Sequence, residues 1–274
     1  MTLGFWLSYA TLSLVQGLLV LVPVPKGRLQ GSRMLGLLLP AGLLLAGVLL
    51  VRDLSHGAQA LTDLATFGTP LAAALAGVLL GWRRRPWVIP TVAASLYLVA
   101  WQTDGLVADA AGLVLIAGAC VSGAELLGRV AGRRELTIGL LLLVCLDVVL
   151  VFGTSQVQQT TTTLHAIVPP SGGGRPLPAL QDVTLGPSMM GWLDLLAPLL
   201  LGLILAGSPR RPRAAIVVTV AGLAWGCLLY VTPMIPATVP VLIGLATVAL
   251  VAERVPLRNR RRSDRRARLR PSLS

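Results

Sequence analysis

The stretch LTIGLLLLVCLDVVLVFGT, residues 136–154, is long and apolar enough to cross a lipid bilayer as a helix, yet it contains one aspartate, Asp147. A second such stretch, SMMGWLDLLAPLLLGLILAG at residues 188–207, contains Asp194. Neither stretch contains a lysine or an arginine that would neutralise its acid. An acid at the centre of a membrane helix costs about 2.5–3.5 kcal/mol on insertion scales, so we expect these two to serve a function.

Composition extends this interpretation to the whole chain, which is 55% hydrophobic and only 12% charged. That balance lies outside the range of ordinary soluble domains. Apolar runs alternate with short charged clusters, and the nine runs are residues 3–22, 34–51, 63–82, 86–102, 106–127, 136–154, 188–207, 214–231 and 233–252. The sequence therefore predicts an all-α polytopic membrane protein with nine transmembrane helices.

The predicted domain organisation is simple, because no segment is long and polar enough to form a soluble domain. One membrane domain covers residues 1–254, with N-terminal helices in residues 3–128 and the acid-bearing helices in residues 136–252. A basic tail follows at residues 255–274.

Arginine and lysine predict the orientation. Five clusters in alternate connections hold 21 of the 23 basic residues, at residues 26–33, 83–85, 129–134, 210–213 and 254–270. Because basic connections stay in the cytoplasm, we expect the N-terminus outside and the C-terminus inside. The tail is expected to contact anionic membrane lipids rather than nucleic acid. The excess of arginine over lysine is typical of a GC-rich bacterium and predicts a multi-pass protein of the bacterial plasma membrane.

The two aspartates are predicted to lie at the same depth. Asp147 comes seven residues before residue 154 and Asp194 six after residue 188, so each lies about 9–11 Å below the outer helix ends. Neighbouring carboxyl groups can share a proton, so that one deprotonates water while the other hydrogen-bonds a carbonyl oxygen. The alternative is two unrelated acids, each bonded to a hydroxyl or to the backbone.

The sequence around both acids resembles a known family. LDVVLVFGT is similar to the YDxFWVFGT stretch of signal peptide peptidases, which are relatives of presenilin, and MMGWLDLLAPLLLGLIL is similar to their MLGLGDIxIPGxxxAL segment with its GxGD motif. Gly191 matches the first glycine, Asp194 the aspartate and Pro198 the proline. PMIPATVP at residues 233–240 stands where the family has its PAL motif, and the resemblance covers about residues 136–245.

The resemblance implies a presenilin-like bundle with the outside N-terminus of signal peptide peptidase. It also implies an intramembrane aspartyl protease that cleaves transmembrane helical peptides or proteins, without a metal or an organic cofactor. Asp147 and Asp194 would be catalytic. The residues implied in substrate binding are Gly191, Trp192, Leu193, Pro236, Ala237 and Thr238.

Three positions depart from the family pattern. Leu146 replaces a tyrosine, Leu193 replaces the second glycine of GxGD, and Thr238 replaces the leucine of PAL. Two other hypotheses therefore stay open: a proton-coupled transporter or channel, because membrane acids serve proton relays, and an inactive relative that binds membrane segments. A zinc protease is excluded by the absence of HExxH. Both histidines, His56 and His165, fall in predicted external loops, which argues against a serine protease with a histidine base within the helices.

The connection at residues 155–187 is long, polar and rich in glycine and proline. It is predicted either to cover the outer mouth of the site and to offer a strand edge to an extended substrate, or to be a flexible external loop.

Overall fold

The computed structural model describes residues 2–23, 33–53, 56–79, 87–154, 156–167, 171–172 and 175–250. Ten α-helices are present in these ranges: α1 Leu3–Leu21, α2 Arg33–Asp53, α3 Gly57–Leu79, α4 Val88–Gln102, α5 Leu106–Val130, α6 Arg133–Val148, α7 Gln156–His165, α8 Trp192–Ile204, α9 Arg211–Gly226 and α10 Val239–Leu250. A π-helical turn, Val149–Gly153, continues α6, and a 3-10 turn, Cys227–Tyr230, continues α9.

Two short antiparallel hairpins lie between α7 and α8. Strand β1, Ser171–Gly172, pairs with β2, Arg175–Pro176. Strand β3, Asp182–Leu185, pairs with β4, Ser188–Gly191. The described part of the connection at residues 155–187 therefore contains α7, the β1–β2 hairpin and strand β3.

The all-helical class predicted from the sequence is confirmed. Four described helical segments are long and apolar enough to cross a membrane: Leu3–Leu21, Leu106–Val130, Arg133–Gly153 and Arg211–Tyr230. Helices α4, α8 and α10 are apolar but shorter. The nine spans and their orientation stay predictions, and the basic tail lies outside the described residues.

The run predicted at residues 188–207 differs from the observed structure. Its first four residues form β4, and the helix begins only at Trp192 and ends at Ile204. The backbone of these four residues pairs with β3, from Ser188↔Leu185 to Gly191↔Asp182, so it is extended rather than helical. Hydropathy does not distinguish a short apolar strand from the start of an apolar helix. Asp194 consequently lies in the first turn of α8 and not two turns into a helix.

Helix α8 is the centre of the core. From Leu195 to Ile204 every residue is buried, and α8 packs against α1, α5 and α6. Its close approach to α1 depends on Gly202, because a Cβ at that position would lie 2.5 Å from the Val20 carbonyl oxygen. These contacts fix the helix that carries Asp194 against the N-terminal helix.

Arginine side chains donate hydrogen bonds to carbonyl groups at two helix ends. Arg211 donates from Nε to the Val20 carbonyl at 2.7 Å and from Nη2 to the Val22 carbonyl at 2.5 Å. Arg133 donates to the Ala206 carbonyl beyond the end of α8. A cation at a helix C-terminus complements the helix dipole.

Candidate functional site

Both aspartates line one cavity of about 1090 Å³. Its walls come from α2, α3, α5, α6 and α7, from the β3–β4 hairpin, from the first turn of α8, and from the residues between α9 and α10. The lining is mostly apolar side chains, which is typical of a site for a hydrophobic ligand with a few polar groups to orient it.

Asp147 is the penultimate residue of α6 and its side chain is buried. Its Oδ2 accepts a hydrogen bond of 2.6 Å from the hydroxyl of Thr238, which is also buried. The π-helical turn follows directly, and such turns are frequent at functional sites. Asp147 is thus held by a segment 91 residues further along the chain.

Asp194 is held locally. It is the third residue of α8, and its Oδ2 accepts a hydrogen bond of 2.9 Å from the backbone N–H of Gly191, the residue that caps the helix. An acid in the first helical turn satisfies an N–H group that has no intrahelical partner. Because β4 ends at Gly191, the strand leads directly into this turn and fixes where the carboxylate points.

The two carboxyl groups lie close enough for the charge of Asp147 to act on Asp194. Among the described residues, neither forms an ion pair with a basic side chain. The helix start assumed at residue 188 is wrong, because the helix begins at Trp192, and the common depth of the two acids in a membrane stays a prediction. The two acids nevertheless meet on the same cavity.

The residues predicted to bind substrate divide into two groups. Pro236 is not part of the cavity lining, and its carbonyl oxygen accepts a hydrogen bond of 3.1 Å from Trp225 Nε1. The other five line the cavity together with the two acids: Gly191, Trp192, Leu193, Ala237 and Thr238.

A residue that the sequence did not single out connects the two parts of the site. Gln16 of α1 is buried, and its Nε2 donates to the Asp194 carbonyl at 3.1 Å and to the Ala237 carbonyl at 3.3 Å. In the sequence, the importance of Gln16 is indicated only by its position as the single amide side chain in the apolar run at residues 3–22.

A third buried acid was also missed. Glu125 of α5 is fully buried and pairs with Arg129 Nη2 at 2.5 Å. The spacing of four residues on one helix is that of a helical ion pair. Among the described residues, Glu125 therefore has a basic partner that both aspartates lack, and it is not part of the cavity lining.

The edge of the cavity formed by α7 and the hairpin carries one ionic contact. His165 Nε2 lies 2.9 Å from Asp182 Oδ2 and 2.8 Å from Met189 Sδ. Burial raises the pKa of Asp182 above its usual value, and the charge of His165 partly offsets this increase in pKa. The contact joins the end of α7 to β3 and β4, so the predicted external position of His165 corresponds to the rim of the cavity.

The described residues contain no cluster of three or more His, Cys, Asp or Glu side chains that would hold a metal ion. Within the same residues, the Asp147 carboxyl group accepts from the Thr238 hydroxyl and the Asp194 carboxyl group from the Gly191 backbone N–H.

Comparison with protein-family models, curated proteins and solved structures found no match to this chain. The family resemblance thus rests on the short motifs around the two acids and on the segment at residues 233–240. A function has to be argued from the site itself.

Proposed function

We propose that this chain is an intramembrane aspartyl protease of the signal peptide peptidase and presenilin type, with Asp147 and Asp194 as its catalytic pair. One observation carries the proposal: two carboxyl groups from different helices lie on one apolar cavity within electrostatic reach of each other. Among the described residues no cation neutralises either acid. A pair of this kind holds one proton between its members.

The proposed reaction is hydrolysis of a peptide bond by water. The ionised carboxylate removes a proton from water, and the oxygen of this water attacks the scissile carbonyl carbon. The protonated carboxyl group hydrogen-bonds the carbonyl oxygen. The tetrahedral intermediate then breaks its C–N bond, and the nitrogen leaves with a proton from the pair. Acid–base catalysis of this kind contributes about 10²–10⁴-fold to a rate.

The surroundings of the pair support this chemistry. The Thr238 hydroxyl fixes Oδ2 of Asp147, and the Gly191 N–H fixes Oδ2 of Asp194, so both carboxyl groups are oriented on the cavity. Such bonds hold catalytic groups in place before the reaction begins. We expect Leu193, next to Asp194 and on the cavity wall, to contact the substrate near the scissile bond.

The proposed substrates are transmembrane helical segments, which suit an apolar cavity. A helical substrate has to unwind before its peptide bond can be attacked, and its freed backbone groups need partners. Strand β4 borders the cavity and continues into the first turn of α8. An extended substrate that pairs beside this strand would bring its backbone to Asp194.

A cleavage assay tests the proposal. Purified protein in lipid vesicles should cut a type II transmembrane peptide, and Asp194→Ala should abolish the cut. Asp63→Asn is a matched control, because Asp63 lies in α3, accepts a hydrogen bond from Gln59 at 2.9 Å and is not part of the cavity lining. Cleavage that persists in Asp194→Ala contradicts the proposal. Peptide binding without cleavage by the unaltered protein would instead favour an inactive binder, and proton-coupled solute flux would favour a transporter.

The proposed membrane arrangement is nine transmembrane helices in a bacterial plasma membrane, with the N-terminus outside. The alternating basic clusters support it. Single cysteines at residues 84 and 172, in a protein without its native cysteines, test the orientation in intact cells with an impermeant thiol reagent. Residue 172 should react efficiently and residue 84 should not, whereas the reverse pattern contradicts the arrangement.

A further inference from the structure

The side chain of Gln16 is an amide buried within an apolar helix. It is 1% exposed and lies on α1, 178 and 221 residues away in sequence from the two residues whose carbonyls it binds. Burying an amide without hydrogen bonds costs free energy, so its donors need partners. Its Nε2 carries two N–H groups, and two carbonyl oxygens accept from that nitrogen.

The local backbone explains why the two carbonyl groups are available. Pro198 stands four residues after Asp194, where a helical residue would normally donate its N–H to the Asp194 carbonyl. Ala237 precedes α10, which begins at Val239, and the N–H of Val241 donates to the Thr238 carbonyl at 3.1 Å. Each acceptor of Gln16 therefore lies where the helical pattern of bonds is incomplete.

These contacts form a continuous path between the two acids. Asp194 carries one of the carbonyls, and the other belongs to Ala237, whose neighbour Thr238 binds the Asp147 carboxylate. Among the described residues, no other side chain hydrogen-bonds both the first turn of α8 and the segment before α10. One amide group thus joins the two elements that hold the acids.

We propose that Gln16 is a positioning residue that sets the separation of Asp147 and Asp194. It touches neither carboxylate and acts through the backbone on both sides. The role in catalysis rests on the proposed function, because it concerns the geometry of the same pair. A purely structural role, in which Gln16 only satisfies carbonyls without helical partners, makes different predictions.

The first test compares Gln16→Met with Gln16→Met/Pro198→Ala. Methionine keeps the length of glutamine but has no N–H donors, and alanine at residue 198 returns an N–H to the Asp194 carbonyl. Gln59→Met is the matched control, because it removes the amide that binds Asp63 in α3. Turnover per folded protein, KM and melting temperature are measured for all three variants and for the unaltered protein.

We expect Gln16→Met to lower kcat by about ten- to a hundredfold with KM changed less than about twofold, since small misplacement of catalytic groups is costly. The added alanine should recover melting temperature but not kcat, because the link to Ala237 stays broken. Gln59→Met should keep kcat. An unchanged kcat in Gln16→Met, or its full recovery with Pro198→Ala, overturns the positioning role.

The second test needs no catalysis. Cysteines at residues 147 and 194, in a protein whose native cysteines are serine, are joined by a short bifunctional thiol reagent in membranes. Gln16→Met should slow this cross-linking several-fold relative to the parent and to Gln59→Met, because the two elements lose their common bond. An unchanged cross-linking rate overturns the proposal. If the unaltered protein cleaves no peptide but Gln16→Met slows cross-linking, the protease function fails while the positioning role stands.

Discussion

The two aspartates of the cavity are held in contrasting ways. Asp194 is fixed by its own neighbourhood, since the N–H three residues earlier caps the helix through its carboxylate. Asp147 is fixed at long range, by the hydroxyl of a residue 91 positions away. The orientation of one acid is therefore set by local sequence, whereas that of the other depends on packing.

This contrast indicates which substitutions should disturb the position of each carboxylate. Substitutions near Asp194 change the immediate surroundings of one carboxylate, while the geometry at Asp147 changes with anything that moves the segment before α10. Gln16 joins the two arrangements, because it binds the backbone on both sides.

Replacing either aspartate by asparagine should have the same effect, although the two aspartates are held in different ways. Asp147→Asn and Asp194→Asn should each lower cleavage by about 10²–10⁴-fold, because an amide can neither take a proton from water nor share one. The double variant should be no slower than either single variant, since the pair acts as a unit. The rate at which each variant cleaves one transmembrane peptide is divided by the amount of folded protein, which gel filtration measures, and the variants are then compared. A single variant that keeps most of its activity would mean that the acids act independently.

Replacing Thr238 tests the long-range arrangement alone. Thr238→Val keeps the branched shape but removes the hydroxyl bonded to Asp147, and a hydrogen bond to a charged group contributes about 1.5–3 kcal/mol. We expect cleavage to fall about ten- to a hundredfold, measured as kcat on the same peptide. Thr238→Ser keeps the hydroxyl and should retain most activity. Equal activity of the valine and serine variants would show that the Thr238 hydroxyl does not matter.

Replacing Leu193 tests the local arrangement. Leu193 is buried on the cavity wall beside Asp194, so Leu193→Gly should open space there and change which residues are accepted at the scissile bond. The change also leaves a void, and comparable truncations of buried leucines lower stability by about 2–5 kcal/mol. Glycine within a helix lowers stability further. Mass spectrometry of the products should show shifted cleavage positions, together with a lower melting temperature. An identical product pattern and rate would place Leu193 away from the substrate.

The helical class could be predicted from the sequence because long apolar runs have few structural solutions in a membrane. The start of α8 could not, since the backbone pairing of Ser188–Gly191 with β3 is a long-range property that hydropathy does not contain. The acids were recognisable because an unpaired acid in an apolar run is costly. Thr238 was noticed only as a departure from a family motif, and its contact with Asp147 requires the folded chain.

Gln16 illustrates the same limit of prediction from sequence. Pro198 is visible in the sequence, and it predicts that the Asp194 carbonyl has no helical partner. The donor that reaches this carbonyl comes from α1, more than 170 residues earlier in the chain. Sequence therefore reveals the carbonyl that lacks its helical bond, while only packing reveals which side chain binds it.

The central claim, that Asp147 and Asp194 act together on one bond, is tested most directly by binding of a transition-state analogue. Two peptides are compared by calorimetry: one carries a hydroxyl group in place of the scissile carbonyl, and the other carries a methylene there. The account predicts that the hydroxyl peptide binds at least about a hundredfold more tightly, and that Asp147→Asn and Asp194→Asn each remove this difference. Equal affinity of the two peptides for the unaltered protein, or a difference that survives in either variant, would contradict it.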